Sequence, residues 1–378
     1  MKIVLAFDKF KGSATSVELA DAACEAIVSI FPHSEVLKIP IADGGDGTVD
    51  ALAASYPAAQ CVSCTVDAPL PALQPVEAQY IIDEQSRTAL MELSAASGLV
   101  LVPPHARDVM KASTAGTGQM ILDAIAHGCN HIIIGLGGSA TNDCATGLLA
   151  ALGFEFLDAG GHPLYPCGEH LGKIAQVDRS GVAAEVRNTH FTLIGDVDNV
   201  LCGPQGCARV YAPQKGATHW QTLQLDEGAR HFAHLLPPGL ASTPGAGAAG
   251  GTAAGMLAFL DAELCPGIEA VLNLIQFDRK ITGADFVFTG EGRIDAQTAM
   301  SKAPMGVLRA ARKQGIPVIA LCGGIASGFD ADTLGFDAVF SITPAPMTLA
   351  QAMQRDTCLH HVKRQVTQIM RLLKREIS

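Results

Sequence analysis

One tryptophan and four tyrosines among 378 residues leave little aromatic surface, and no motif for stacking a nucleobase stands out. Basic residues are also few: 26 Lys and Arg face 37 Asp and Glu, for a formal net charge of −11. That deficit argues against nucleic acid or an anionic membrane as a partner, since both need broad positive patches. It leaves room for a small anion, which one local Lys or Arg cluster can hold. No apolar stretch reaches the roughly 18 residues of a membrane span. The apolar run after Met1 is too short for a secretory leader, and Asp8 and Lys9 follow it at once. The eleven cysteines lack regular spacing, and their single CxxC, Cys61 and Cys64, has no second pair to complete a zinc site. They read as reduced, mostly buried thiols of a cytoplasmic protein. The twelve histidines show no ligand pairing, and His231 and His234 read as packing or surface residues. There is no GxxxxGK[ST] phosphate loop, and Asp43–Thr48 lacks the ligand pattern of an EF-hand.

What the chain has is core material: 48% hydrophobic and 17% charged residues, enough for about two domains on a ~150-residue prior. Its organising stretch is His131–Leu152. His131–Ile134 is a β-branched run that favours a buried strand. Gly135–Asn142 is a glycine-rich polar loop, and Asp143–Leu152 favours a helix. Strand, glycine loop and helix present bare backbone N–H groups to an anion. The alternative is that Asn142 or Asp143 only caps the helix.

Lys2–Phe7 is a continuous apolar run, the mark of a buried parallel strand. Thr15 and Glu18 form a capping box before a helix whose apolar positions are Val17, Ala20, Cys24, Ile27, Val28 and Phe31. Glu35–Ile41 is a second strand, ending in Asp43-Gly-Gly-Asp46-Gly47-Thr48. This βαβα order predicts a parallel sheet with crossover helices. Composition shifts near residue 70, and strands at Val62–Thr65, Val76–Asp83 and Thr88–Leu93 follow. Helices are expected over Trp220–His234 and Thr252–Leu264. Strands at Asp285–Thr289, Pro317–Leu321 and Ala338–Ile342 with helices Ala303–Gln314 and Thr348–Lys374 then return to βαβα. We read residues 1–70 plus 281–378 as one discontinuous Rossmann-like α/β domain, with 71–280 inserted as a second α/β domain.

Four glycine loops, Gly44–Gly47, Gly116–Gly118, Gly135–Ser139 and Gly245–Gly251, each lead into a helix, which suggests a ligand with several anionic groups. Asp8, Asp43, Asp196, Asp198 and Glu291 sit just past strand carboxyl ends, where α/β sheets bind ligands. Lys9, Lys11, Lys215, Arg293 and Lys302 are candidate cations. Carboxylates to hold Mg²⁺, cations for phosphate oxygens and a base near a hydroxyl are the parts of phosphoryl transfer. Gly245–Gly250 matches GxGxxG, but a Pro-rich segment precedes it in place of a strand.

Taken together and in order, DKFKGS (8–13), DGGDGT (43–48), GGSATND (137–143), DVDN (196–199), GPQGCARVYAPQKGA (203–217), GAGAAGG (245–251), TGEGRID (289–295) and KAPMGV (302–307) resemble the glycerate kinase type-1 family over essentially the whole chain. The resemblance implies ATP-dependent phosphorylation of D-glycerate, usually to 2-phosphoglycerate, by a two-domain α/β fold with its active site in the interdomain cleft.

On that basis we expect Asp196, Lys215, Arg293 and Lys11 to be catalytic. Arg293, or Lys11, would hold the glycerate carboxylate. Asp196 would take or orient the hydroxyl proton, and Lys215 would steady the transferred phosphoryl group. Asp198 and Glu291, with Asp43 as another candidate, would hold Mg²⁺. Substrate and ATP contacts are expected from Ser13, Asp43, Gly44, Gly45, Asp46, Gly137, Gly138, Ser139, Asn142, Asp143, Gly247, Gly250 and Asp295. Two other readings remain open: an NAD(P)-dependent hydroxy-acid dehydrogenase built on GAGAAG, and a non-catalytic metabolite-binding regulator.

Overall fold

The computed structural model describes residues 1–42, 48–53, 59–296, 298 and 302–377. Asp43, Gly44, Gly45 and Asp46 of the expected site lie outside them. In chain order the strands are β1 (Lys2–Phe7), β2 (Glu35–Lys38), β3 (Gln60–Val66), β4 (Val76–Asp83), β5 (Thr88–Glu92), β6 (His131–Gly135), β7 (Glu155–Leu157), β8 (Gln176–Asp178), β9 (His190–Gly195), β10 (Glu263–Pro266), β11 (Phe286–Ile294), β12 (Val318–Ile325) and β13 (Ala338–Ser341). The chain forms two compact units. One comprises Met1–Asp43, Asp50–Pro57 and Pro266–Ser378; the other comprises Gly44–Val49 and Ala58–Cys265.

The first unit holds a parallel sheet in the order β13-β12-β11-β1-β2. β1 sits inside it because its run is apolar on both faces. Ile3, Leu5 and Phe7 pack with Leu19, Ala23 and Ile27 of the helix Ser16–Ile30 and with Val362, Val366 and Met370 of the helix Arg355–Ile377. The Thr15 hydroxyl accepts the Glu18 N–H, and the Glu18 carboxylate accepts the Thr15 N–H, so the expected capping box is formed. Val17 and Val28 do not belong to that core; both are exposed, and Leu19, Ala23 and Ala26 are buried in their place. The helix Ala303–Lys313 packs against β1, β11 and β12.

The second unit is built on a six-stranded sheet in the order β10-β9-β6-β5-β4-β3. β5, β6 and β9 run parallel, while β3, β4 and β5 form an antiparallel meander. β3 pairs along its length with β4, so residues 60–66 belong to this sheet. Cys61 and Cys64, three apart on β3, point to opposite faces of it, and all eleven cysteines are free thiols.

Several local expectations change. Gly116 and Gly118 lie inside the helix Ala115–Ala126 and not in a loop before it. A Cβ on Gly116 would stand 2.1 Å from the Asp67 carbonyl oxygen, and one on Gly118 2.5 Å from that of Leu148. Glycine is there to let a helix pack closely, so one of the four supposed anion loops is a packing contact. Helix after the organising loop begins only at Thr146. The helix placed over Thr252–Leu264 ends at Phe259, and Glu263 already belongs to β10. β11 extends five residues past Thr289, through Gly290–Ile294, because β12 pairs with it as far as Ile294↔Ile325. The C-terminal helix is two: Leu349–Ala352 and Arg355–Ile377. Among the described residues no helix is long and apolar enough to cross a membrane.

Candidate active site

Parallel strands end together, and the loops that leave them gather at one end of the sheet. In the second unit these are the loop after β6 (136–145), the loop after β9 (196–206), and the turn 245–251. Backbone bonds tie them: Leu136 N–H to Ile194 O (3.0 Å), Gly247 N–H to Asn199 O (2.8 Å) and Cys144 N–H to Gly250 O (3.2 Å). The carboxyl end of parallel strands is where open α/β sheets carry their ligands.

From Ser139 on, the loop after β6 is buried, yet several of its polar side-chain atoms have no protein partner. Thr141, Asn142 and Asp143 are wholly buried. Thr141 Oγ1, both polar atoms of the Asn142 amide and Asp143 Oδ1 find no hydrogen-bond partner among the described residues. Buried polar groups are almost always paired, so such a concentration marks groups reserved for a ligand.

The backbone here is strained. Cys144 (φ 52), Ala145 (φ 65) and Ala249 (φ 53) adopt left-handed conformations without being glycine, followed by Gly250 (φ 67) and Gly251 (φ 85). Each non-glycine residue so placed costs about 1–3 kcal/mol, and such strain gathers at functional sites. The three successive left-handed residues 249–251 make a tight turn that the Gly251 N–H closes on Gly247 O (3.2 Å). The GxGxxG match at Gly245–Gly250 is this turn; it follows a short 3₁₀ segment, Leu240–Ser242, and not a strand.

Gly250 holds this turn against the β6 loop. A Cβ there would stand 2.1 Å from the Thr141 carbonyl oxygen. Gly250→Ala therefore combines left-handed strain with a backbone clash and should cost more than about 2 kcal/mol in a denaturation midpoint analysis. Gly128 has φ +88 but nothing near its would-be Cβ. Gly128→Ala, the control, should cost only about 1 kcal/mol. Equal costs for the two variants would show that the close approach at Gly250 does not matter.

Opposite this loop, the 3₁₀ turn Pro213–Lys215 delivers one cation. Lys215 is 3% exposed, and its Nζ donates to Ser139 Oγ and to Thr141 O, both at 2.7 Å. Burial lowers its pKa from 10.5 to about 8, against the opposing influence of Cys207 and Asp143. Burial raises the Asp143 carboxyl above its ordinary value, and hydrogen bonds from Thr114 and Gly147 offset that only in part. Asp196 and Asp198 lie just past the end of β9 and are exposed. Neighbouring Asn199 is fixed by the Tyr211 hydroxyl (2.7 Å) and bonds the Gln205 carbonyl (2.8 Å).

The first unit carries its own set at the same end of its sheet. Asp8 leaves β1 with its N–H on Gly290 O (3.0 Å), which sets the 8–11 loop beside β11. A Cβ on Gly292 would be 3.6 Å from the Lys11 nitrogen. Lys11, Glu291 and Arg293 thus share one corner; Lys11 is exposed and Glu291 is buried. The Arg293 side chain is 69% exposed, and its Nε lies 3.6 Å from Asp295 Oδ2. Ser13 is partly buried at the turn before the helix Ser16–Ile30. Glu291 sits within β11 and not in a loop beyond it.

The site residues thus fall into two groups, Gly137, Gly138, Ser139, Asn142, Asp143, Asp196, Asp198, Lys215, Gly247 and Gly250 in one unit, and Lys11, Ser13, Glu291, Arg293 and Asp295 in the other. Sequence reasoning missed Thr114 and Ala249. Thr114 lies in a Ser-Thr-Ala-Gly-Thr-Gly run that reads as a loop. Ala249 offers no signal, because alanine seldom adopts a positive φ.

Strained glycine turns, a buried lysine and exposed carboxylates at the carboxyl ends of parallel strands define an α/β enzyme that handles small anions. Known proteins narrow the class. The model of the glycerate kinase family matches residues 3–374. A glycerate kinase of Halalkalibacterium halodurans is 42% identical over 370 residues, covering 96% of this chain and 97% of that protein. Glycerate 2-kinase of Escherichia coli is 39% identical over 359 residues, covering 94% and 93%. A crystal structure described as glycerate kinase 2 of Salmonella typhimurium matches with a TM-score of 0.87 at 38% identity, covering 100% of this chain and 99% of that one. The chain belongs to the glycerate kinase family, and it is a kinase. The resemblance in its motifs is borne out, and the dehydrogenase and regulator readings fall away.

Proposed function

We propose that this protein transfers the γ-phosphoryl group of ATP to the 2-hydroxyl of D-glycerate, giving 2-phosphoglycerate. Lys215 carries the reading: a buried cation beside the unpartnered Thr141 hydroxyl and Asn142 amide is suited to a phosphoryl group whose oxygens gain charge in transit. Arg293, exposed and able to form a bidentate pair, holds the substrate carboxylate, with Lys11 as its neighbour. Asp196 takes the proton of the attacking hydroxyl. Asn142 and Ser139 supply polar contacts, and the glycine turns approach the phosphates through bare backbone.

Mg²⁺ fits the donor chemistry. Asp198 and Glu291 offer hard carboxylate oxygens, and Mg²⁺ is commonly held by one or two carboxylates together with nucleotide phosphates. Asp198 or Glu291 would hold it, and when bound it neutralises charge on the phosphate oxygens.

An ATP–ADP coupled assay with D-glycerate, followed by ³¹P NMR of the product, tests the reading. ADP should form in proportion to glycerate, and the phosphorus should couple to the single C2 proton. Coupling to the C3 methylene would overturn the regiochemistry, and no ADP would overturn the reaction. Arg293→Lys keeps the charge but loses the fork. It should raise the KM for glycerate about tenfold or more with a smaller change in KM for ATP; an unchanged glycerate KM removes Arg293 from the carboxylate.

A further inference from the structure

Asp143 is a wholly buried carboxylate two residues from the carbonyl that Lys215 grips, and one residue holds it in place. Thr114 donates to Asp143 Oδ2 twice, from its backbone N–H at 2.8 Å and from its hydroxyl at 2.8 Å. The Gly147 N–H adds a third bond at 3.2 Å. Three donated hydrogens favour the ionised carboxylate and work against the burial that raises it. The Thr114 hydroxyl in turn accepts the Leu148 N–H at 2.9 Å, which locks its rotamer. Thr114 also occupies the N-cap position of the helix Ala115–Ala126 yet makes no side-chain cap there. Its hydroxyl, the group that ordinarily caps, is turned to Asp143. Oδ1 of the same carboxylate is left with no partner, next to the unpartnered Asn142 amide.

We propose that Thr114 is a positioning residue of the phosphoryl-transfer site: it fixes the ionised Asp143 carboxylate beneath the Ser139–Asn142 loop, and through that buried charge keeps Lys215 cationic for the substrate. The proposal rests on the kinase reading of the same site. A negative charge buried near a buried ammonium favours the protonated amine, since little solvent screens the pair. The other groups acting on Lys215 and Asp143 are few. The Cys207 thiol influences Lys215, and the Cys144 thiol, beside Asp143 in sequence, is driven well above its ordinary range by burial. The Cys207 thiol is pushed up to about 12, and the Cys167 thiol to about 11, chiefly by burial. These thiols are neutral through the pH range of interest, and Tyr165 near Asp143 is raised by burial as well. Of the groups that act on Lys215, Asp143 is the carboxylate.

Thr114→Val keeps the shape and removes the hydroxyl. The Asp143 carboxyl then loses a donor and is protonated more readily, so Lys215 should release its proton at lower pH. The alkaline limb of kcat/KM for glycerate should move down by about half a unit or more, with kcat falling at least several-fold. Thr114→Ser, which keeps the hydroxyl, should restore both. Asp143→Asn, which keeps an acceptor for Thr114 but no charge, should move the limb further in the same direction. Lysine-selective ¹⁵N NMR of the Lys215 Nζ titration reads the same shift without turnover. A wild-type protein inactive with glycerate and ATP would sink the kinase reading, whatever the NMR titration shows. A folded Thr114→Val with an unmoved limb, or an unmoved Lys215 titration in Asp143→Asn, overturns the role of Thr114 whatever the acceptor. Should Thr114→Val not fold, the Asp143→Asn titration alone decides.

Discussion

Lys215→Met should abolish most turnover with ATP and glycerate, by about a thousandfold, while the protein stays folded with a melting temperature within a few degrees of the wild type. Methionine has a similar unbranched stem, and it removes a buried ammonium whose desolvation was itself costly. Turnover and stability should therefore separate. The pH dependences should separate too. The Lys215 pKa is lowered from 10.5 to about 8, so turnover that needs the ammonium is complete below about 8 and fades above it. Stability runs the other way. Between about 8 and 10.5 the folded protein has shed a proton that the unfolded chain keeps, so the unfolded state binds more protons. Wild type should thus gain stability relative to Lys215→Met as pH rises through that window. Denaturant titrations at pH 7 and pH 10 measure it. A variant with more than a tenth of wild-type turnover, or a stability difference that does not depend on pH, would contradict the buried-cation account.

Asp196→Asn is the second large effect. The amide keeps the size and one acceptor oxygen but cannot take a proton. Turnover should fall by about a hundredfold to ten-thousandfold. Asp196 is exposed past the end of β9, so the melting temperature should barely move. Near-wild-type turnover would remove Asp196 from proton transfer and leave Asp198 to be examined.

Elements built from local signals were legible in the chain. Lys2–Phe7 and His131–Ile134 are strands because their apolar runs leave no polar face, and Thr15 with Glu18 caps a helix by a four-residue pattern that needs no tertiary contact. Where partners decide, the sequence was silent or misleading. Gly116 and Gly118 look like loop glycines, yet they sit in a helix, because what they accommodate is the Asp67 and Leu148 backbone. Gly290–Ile294 looks like a turn, yet β12 recruits it into the sheet. For the site, residue types were readable and environments were not. Lys215 stands out as a candidate cation, but its burial comes from loops far away in sequence. Thr114 is invisible as a site residue because its function lies in a carboxylate that 29 positions of chain separate from it.

The pairing of β1 with β11 also has a temporal side. Ile3 lies beside Phe286 and Phe7 beside Gly290, so β1 leaves the ribosome long before the neighbour it pairs with. At roughly 5–20 residues per second that wait is on the order of ten to fifty seconds. Meanwhile the stretch Ala58–Cys265 emerges with its own sheet and core complete. The later-born body should therefore mature first, and the N-terminal segment, with apolar β1 lacking its β11 neighbour, is the part of the nascent chain most in need of a chaperone.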